Sequence, residues 1–92
     1  MNMVIIMKIV KVGALWFPAC LITNKSLNKI KEEYSDIEII ELDYDFDEEE
    51  VQKYNVGTVL PELIFFKDDK EVMRLKGEKN YKELKNAVSE VL

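Results

Sequence analysis

The single cysteine of this 92-residue chain, Cys20, is the side chain best suited to covalent chemistry. It follows an apolar segment and begins a segment of helical periodicity, so we expect it in the first turn of a helix. Aligned backbone N–H groups at that place favour a thiolate, which would form mixed disulfides. The alternative is a small, buried and inert side chain, as most structural cysteines are. We favour the inert interpretation, and the sequence leaves the other open.

The composition removes most other chemistries. The sequence has no histidine, which excludes Ser-His-Asp, Cys-His and histidine-ligated metal sites. One cysteine permits neither an intramolecular disulfide nor a structural zinc site. The series Asp43, Asp45 and Asp47 has the spacing of a calcium-binding loop. However, Glu48 stands where that loop needs glycine, and Tyr54 where it needs a bidentate glutamate. We therefore expect no metal and no cofactor.

Length and charge indicate the class of protein. A composition of 48% hydrophobic and 34% charged residues is typical of a soluble globular protein, and the length predicts one domain, residues 1–92. The formal charge is −5 without a cluster of Lys and Arg, so neither nucleic acid nor a membrane is an expected partner. The apolar run Met3–Met7 is too short for a membrane span or a secretory signal. We expect a cytoplasmic monomer with a reduced thiol, and a dimer as the alternative.

Alternating strand and helix patterns predict the order β-α-β-α-β-β-α. The predicted strands are Met3–Val12, Ile37–Asp43, Leu63–Phe66 and Glu71–Leu75. The predicted helices run from Pro18 to about Tyr34, from Asp47 to an end at Gly57, and from a capping box of Asn80 and Glu83 to the C-terminus. Two strands joined through a helix should be parallel, and the last two strands form an antiparallel hairpin. The pattern predicts an α/β fold, a four-stranded mixed sheet with helices on both faces.

Four features in this order resemble the thioredoxin-like family. They are Trp16–Cys20 as Trp-x-x-x-Cys after the first strand, Glu41–Asp45 as Val-Asp-Val-Asp, Tyr54–Pro61 as Tyr-x-Val-x-x-x-Pro with one extra residue, and the hairpin Leu63–Val72 followed by Gly77. The resemblance covers nearly the whole chain and implies the thioredoxin-like fold. The motif comes early in the sequence, so the chain looks like the compact, glutaredoxin-sized version of that fold.

The resemblance also implies roles for the motif residues. Trp16 matches the motif tryptophan, Phe17 the position of the attacking cysteine and Cys20 the resolving cysteine. Pro18 and Ala19 form the interior of the motif, which is closer to the glutaredoxin Cys-Pro-x-Cys than to the thioredoxin Cys-Gly-Pro-Cys.

A second part of the implied site is a groove at Pro61, which matches the family's cis-proline. In the family, the backbone just before that proline, here Leu60, pairs with an extended substrate segment. Gly77, after the hairpin, belongs to the same groove. Together with Trp16 and Phe17, these residues form either an exposed apolar patch able to take a peptide or a packed edge of the core. The sequence favours neither alternative.

Three residues depart from the family pattern. Phe17 removes the nucleophile that attacks a substrate disulfide. Lys11 replaces a buried aspartate that assists the resolving cysteine in thioredoxins, and Glu62 replaces the threonine after the cis-proline. An unpaired buried charge is costly, so Lys11 either snorkels to the surface, which we favour, or pairs with a carboxylate. If Lys11 approaches Cys20, it favours the thiolate.

The predicted function is therefore a role in thiol–disulfide chemistry, carried at most by Cys20 as a monothiol. The partner would be a protein thiol or a small thiol. The alternative is a redox-inactive module that binds an extended peptide segment in the groove of Trp16, Leu60 and Pro61. Dithiol oxidoreductase activity is disfavoured because Phe17 supplies no sulfur.

Overall fold

The computed structural model describes residues 7–14 and 16–91. Its elements are β1 (Met7–Gly13), α1 (Pro18–Glu33), β2 (Glu38–Asp43), α2 (Glu48–Lys53), β3 (Glu62–Lys67), β4 (Lys70–Lys76) and α3 (Tyr81–Val91). This order confirms the predicted series of strands and helices. Residues 3–6 of the predicted first strand lie outside the described residues.

The strands form one mixed sheet in the order β2-β1-β3-β4. β1 and β2 run parallel, as expected of strands joined through a helix, and β3 pairs antiparallel with both β1 and β4. The register places Lys11 between Glu41 of β2 and Leu63 of β3. Asp68 and Asp69 join β3 to β4 with φ angles of 52° and 67°, the left-handed backbone that a two-residue hairpin turn requires.

Helices cover both faces of this sheet, as predicted. α1 and α3 share one face, where Leu27 and Leu84 pack with Ile9 of β1 in a buried core. α2 lies on the opposite face and contributes Val51 to a second core that includes Val10. None of the helices within residues 7–14 and 16–91 is long and apolar enough to cross a membrane.

The start of α3 confirms the predicted capping box. The Asn80 side-chain oxygen accepts the backbone N–H of Glu83 at 2.9 Å, and the Glu83 carboxylate accepts the backbone N–H of Asn80 at 3.3 Å. Immediately before the box, the Lys79 N–H donates to the buried hydroxyl of Thr23 at 3.1 Å. This last bond ties the entry of α3 to α1, the helix that carries Cys20.

The end of α2 differs from the prediction. The helix stops at Lys53 instead of continuing to Gly57, because Asn55 takes a left-handed backbone with φ of 53°. Asparagine tolerates that conformation better than other non-glycine residues, so it ends a helix as glycine does. Gly57 therefore does not end α2 but lies in the loop between α2 and β3. Glu62 holds this loop in place, as described below.

Candidate functional site

Cys20 lies in the first turn of α1, which begins at Pro18. Proline suits this position because the missing N–H has no partner within the helix. The thiol faces the end of β1, where the Ala14 N–H donates to Sγ at 3.5 Å. Cys20 is 3% exposed and belongs to the core that also contains Val51 and Leu60. The predicted position of the cysteine is confirmed, and its sulfur is a buried atom with a backbone donor.

Gly13 makes room for this sulfur. A Cβ atom at Gly13 would lie 3.0 Å from the Cys20 Sγ and 3.3 Å from the Lys11 Cε. Both distances are tighter than most contacts of a Cβ atom, so a side chain here would require the thiol and the lysine stem to shift by a few tenths of an ångström. The glycine therefore allows the thiol and the Lys11 side chain to share one small space.

Lys11 is buried beside the cysteine, 6% exposed. Its ammonium donates to the side-chain oxygen of Asn24 on α1 and lies 4.0 Å from the Glu41 carboxylate on β2. The prediction that Lys11 snorkels to solvent is therefore wrong. The alternative, pairing with a carboxylate, is what the structure shows, because two oxygen acceptors lie within reach of the buried ammonium.

These groups line a cavity of about 250 Å³ at the end of β1. We call it the Cys20 cavity; its lining includes Lys11, Gly13, Cys20, Asn24, Glu41 and Asp47. The sulfur therefore faces a space large enough for a small reagent, although the cysteine side chain itself is almost fully buried. Lys11 is the one cationic side chain of the lining, and several carboxylates surround the same cavity. The ammonium of Lys11 is therefore the positive charge that offsets them.

Sequence reasoning missed Asn24 and Glu41 as parts of this site. Each could have been found by a simple rule. Asn24 is one helical turn after Cys20, so it shares that residue's face of α1. Glu41 is the direct partner of Lys11 once the first two strands are paired in parallel register. The register itself cannot be read from either strand alone, which is why Glu41 was missed.

Trp16 and Phe17 stand at the mouth of the site. Trp16 is 63% exposed, and its indole N–H donates to the Asp45 carboxylate at 2.6 Å. The Phe17 ring lies edge-on to the indole at 5.4 Å between centroids and packs against the core that contains Cys20 and Leu60. Pro18 is exposed and Ala19 half-buried. The motif thus presents one exposed aromatic ring and keeps its sulfur inside.

The predicted groove is only partly an exposed patch. The Leu60–Pro61 peptide bond is cis, and both residues are buried. Their side chains therefore belong to the packed edge of the core, whereas Val59, the residue just before them, is 52% exposed. Gly77, with φ of 89°, donates its N–H to the Pro61 carbonyl at 2.9 Å. Gly77 and Pro61 are thus brought together as the resemblance implies, and Trp16 and Val59 are the exposed apolar members.

Glu62 anchors this part of the chain from the inside. Its carboxylate is fully buried and accepts the Arg74 guanidinium at 2.7 Å and the Gly57 N–H at 3.3 Å. The same Arg74 nitrogen donates to the Tyr54 carbonyl at 2.7 Å. Arg74 also pairs with Glu71, and this hydrogen bond holds the pKa of the Glu71 carboxyl below its ordinary value. The departure at Glu62 therefore supplies a buried ion pair that holds the segment before Pro61 to β4.

A helix-borne cysteine beside the end of a central strand, a cis-proline before β3 and this strand order define the class of thioredoxin-fold proteins. The family model named thioredoxin matches residues 4–90, and the chain belongs to that family.

Known relatives and solved structures agree with this assignment. The chain is 38% identical over 64 residues to thioredoxin-2 of Saccharomyces cerevisiae, a match over 70% of this chain and 61% of the yeast protein. The fold is similar to Fasciola hepatica thioredoxin, with a TM-score of 0.82 and 30% identity over 91% of this chain and 79% of that one. Thioredoxin-2 of the malaria parasite has the same fold, with a TM-score of 0.86 and 22% identity over 97% and 86% of the two chains.

Proposed function

We propose that this protein acts in cytoplasmic thiol–disulfide chemistry as a monothiol, through Cys20. Its membership of the thioredoxin family supports the general role, and the single cysteine of the chain supports the restriction. The observation that carries the proposal is the position of the sulfur. It faces the Cys20 cavity at the start of a helix, with the Ala14 N–H donating to it.

The proposed reaction is one thiol–disulfide exchange. The Cys20 thiolate attacks one sulfur of a protein or small-molecule disulfide, and the bond between the two substrate sulfurs breaks. Cys20 and the attacked sulfur then share a mixed disulfide, while the other sulfur leaves as a thiolate. A second thiol must come from the solution or the partner to reverse the bond, because Phe17 supplies none.

We expect Cys20 to react with a small alkylating reagent in the folded protein. Native chain is treated with iodoacetamide, and the modified fraction is followed by mass spectrometry against a fully denatured sample. Because the sulfur lines a cavity, alkylation should go to completion at a rate that low concentrations of urea do not change. Cys20→Ser is the control that must stay unmodified. Incubation with glutathione disulfide should then add one glutathione to the native chain.

The contrary result would favour a second candidate function. If alkylation follows the global unfolding equilibrium, the thiol is inert, and the protein is a redox-inactive binding module. The observation that favours this candidate is the contrast between a sulfur that is 3% exposed and a Trp16 ring that is 63% exposed. Such a module would keep the groove for a partner segment without the chemistry.

A further inference from the structure

A surface next to Trp16 combines exposed aromatic rings with a cavity and uncompensated charge. We call it the acidic platform; it consists of Trp16, Tyr44, Asp45, Phe46, Glu48 and Val51. Phe46 is 80% exposed and Trp16 63%, among the largest apolar exposures in the described chain. The indole of Trp16 donates to Asp45, the residue just before Phe46, so both exposed rings belong to one part of the surface. Apolar exposure grouped on a protein surface marks an interaction site.

The acidic platform is held in one conformation by its own hydrogen bonds. The Asp43 carboxylate accepts the N–H groups of Asp45 and Phe46 at 2.8 and 3.0 Å. The Asp47 carboxylate accepts the Asp43 N–H at 2.7 Å, and Asp45 fixes the indole of Trp16. A loop and an indole that are already held in place lose little freedom when a partner covers them, which favours binding.

The platform opens into a cavity of about 490 Å³ that is lined by α2 and by the loops before and after it. Tyr44, Val51 and Val56 form the apolar part of its lining, Asp45 and Glu48 add carboxylates, and Gln52 and Asn55 add neutral amides. A side chain with an apolar stem and a cationic head matches this combination, because the stem packs on the apolar lining while the head meets the carboxylates. The side chains of lysine and arginine have such an apolar stem and cationic head.

The charge of the surrounding segment agrees with that assignment. Residues 43–50 contain six carboxylates and no lysine or arginine. Within residues 7–14 and 16–91, the one ion pair of this segment is Glu50 with Lys53, at 3.1 Å. No lysine or arginine of the described residues pairs with the other carboxylates, so the segment keeps a net negative charge that attracts a cationic partner and repels an acidic one.

Other occupants fit less well. A second copy of this chain would bring its own net charge of −5 against the same carboxylates. A metal ion would need a convergent set of ligands, and the described residues contain no group of three acidic or cysteine side chains able to hold one. Asp43 and Asp47 already accept backbone N–H groups of their own loop.

We propose that the acidic platform binds an extended, lysine- or arginine-rich segment of a partner protein. An apolar side chain of that segment covers Trp16 and Phe46, and a basic side chain enters the cavity of Tyr44 and Val51. This inference goes beyond the proposed function, because it names a partner class for the surface beside Trp16 and does not require that Cys20 reacts.

The test uses the full chain with Cys20→Ser, so that binding is measured apart from thiol chemistry. The probe is a fluorescein-labelled peptide Gly-Lys-Leu-Lys-Leu-Lys-Gly, and the matched peptide has glutamine in place of lysine. We expect the lysine peptide to bind at least about tenfold more tightly at low salt, with the difference shrinking as salt screens the charges. Trp16, the single tryptophan, should report the same event by a shift of its emission.

Three variants locate the binding surface. Glu48→Lys on α2 should weaken lysine-peptide binding about tenfold, whereas Glu90→Lys makes the same change of charge on α3, away from the platform, and should leave it unchanged. Phe46→Ser, at an exposed position, should weaken binding of both peptides without lowering stability. Equal affinity for the two peptides, no binding of either, or a dimer that Phe46→Ser dissociates would each overturn the proposal. Alkylation of Cys20 tests the proposed function separately.

Discussion

At the scale of single residues, the proposed function makes Phe17 the side chain that separates partner binding from disulfide turnover. The side chain packs against the core that contains Cys20 and its ring contacts Trp16, so it occupies the mouth of the site. A phenyl ring at that position adds contact area for a partner and no reactive atom. Under the proposed function, the site holds a partner and forms one bond to it, because Phe17 supplies no second thiol to complete a reduction.

Replacing Phe17 with cysteine should restore a dithiol. We expect wild-type protein to reduce insulin no faster than dithiothreitol alone, and Phe17→Cys to form an internal disulfide with Cys20 and to accelerate the reaction. The bond is measured by mass after alkylation, and the activity by insulin turbidity. Leu21→Cys is the control, because this residue adjoins Cys20 but is 61% exposed and should give no internal disulfide.

Two results would contradict the claim about Phe17. One is insulin reduction by the wild-type chain that Cys20→Ser abolishes, which would mean that a single sulfur suffices. The other is a folded Phe17→Cys protein that cannot form the disulfide, which would mean that residues 17 and 20 do not occupy the two sulfur positions of the family.

At the scale of elements, the buried ion pair of Glu62 and Arg74 holds the segment before Pro61 to the hairpin. Glu62→Gln should lower the free energy of unfolding by about 2–3 kcal/mol, because it leaves the partly buried guanidinium and the Gly57 N–H with a weaker acceptor. Glu71→Gln is the matched control on the same arginine. It should lower stability by at most about 1 kcal/mol, since that pair is more exposed. Urea denaturation measures both values, and equal losses would contradict the proposed anchor.

The same hairpin predicts a pH dependence. The Arg74 hydrogen bond lowers the pKa of Glu71 in the folded protein below its ordinary value of 4.5. A depressed pKa of an acid means that the stabilisation is fully present above pH 4.5 and is lost as the pH falls through the lowered value. Glu71→Gln should therefore unfold with a shallower decline of stability below pH 4.5 than wild type. If urea midpoints of the two proteins decline in parallel there, the pair does not contribute.

At the scale of the whole molecule, local patterns predict the fold better than they predict the site. The two residues of the capping box, Asn80 and Glu83, are three positions apart, so the sequence alone predicts the start of α3. The burial of Lys11 depends on Asn24 and Glu41, which come from other elements and meet it only in the folded chain. Leu60 is similar, because its burial depends on the core beneath it and not on its neighbours in sequence.

The two cores share one sheet, and this predicts a single cooperative unfolding transition, as expected of one domain. Leu84 of α3 is fully buried in the core that includes Leu27 of α1, whereas Trp16 contacts Phe17, which packs on the other core. Leu84→Ala should lower the free energy of unfolding by about 2–5 kcal/mol. It should shift the urea midpoint equally when unfolding is followed by far-ultraviolet circular dichroism and by Trp16 fluorescence.

The control is Val72→Ala, at a position 48% exposed, which should stay within about 0.5 kcal/mol of wild type. A Leu84→Ala midpoint that moves by circular dichroism while Trp16 fluorescence keeps its wild-type midpoint would show that the two cores unfold independently.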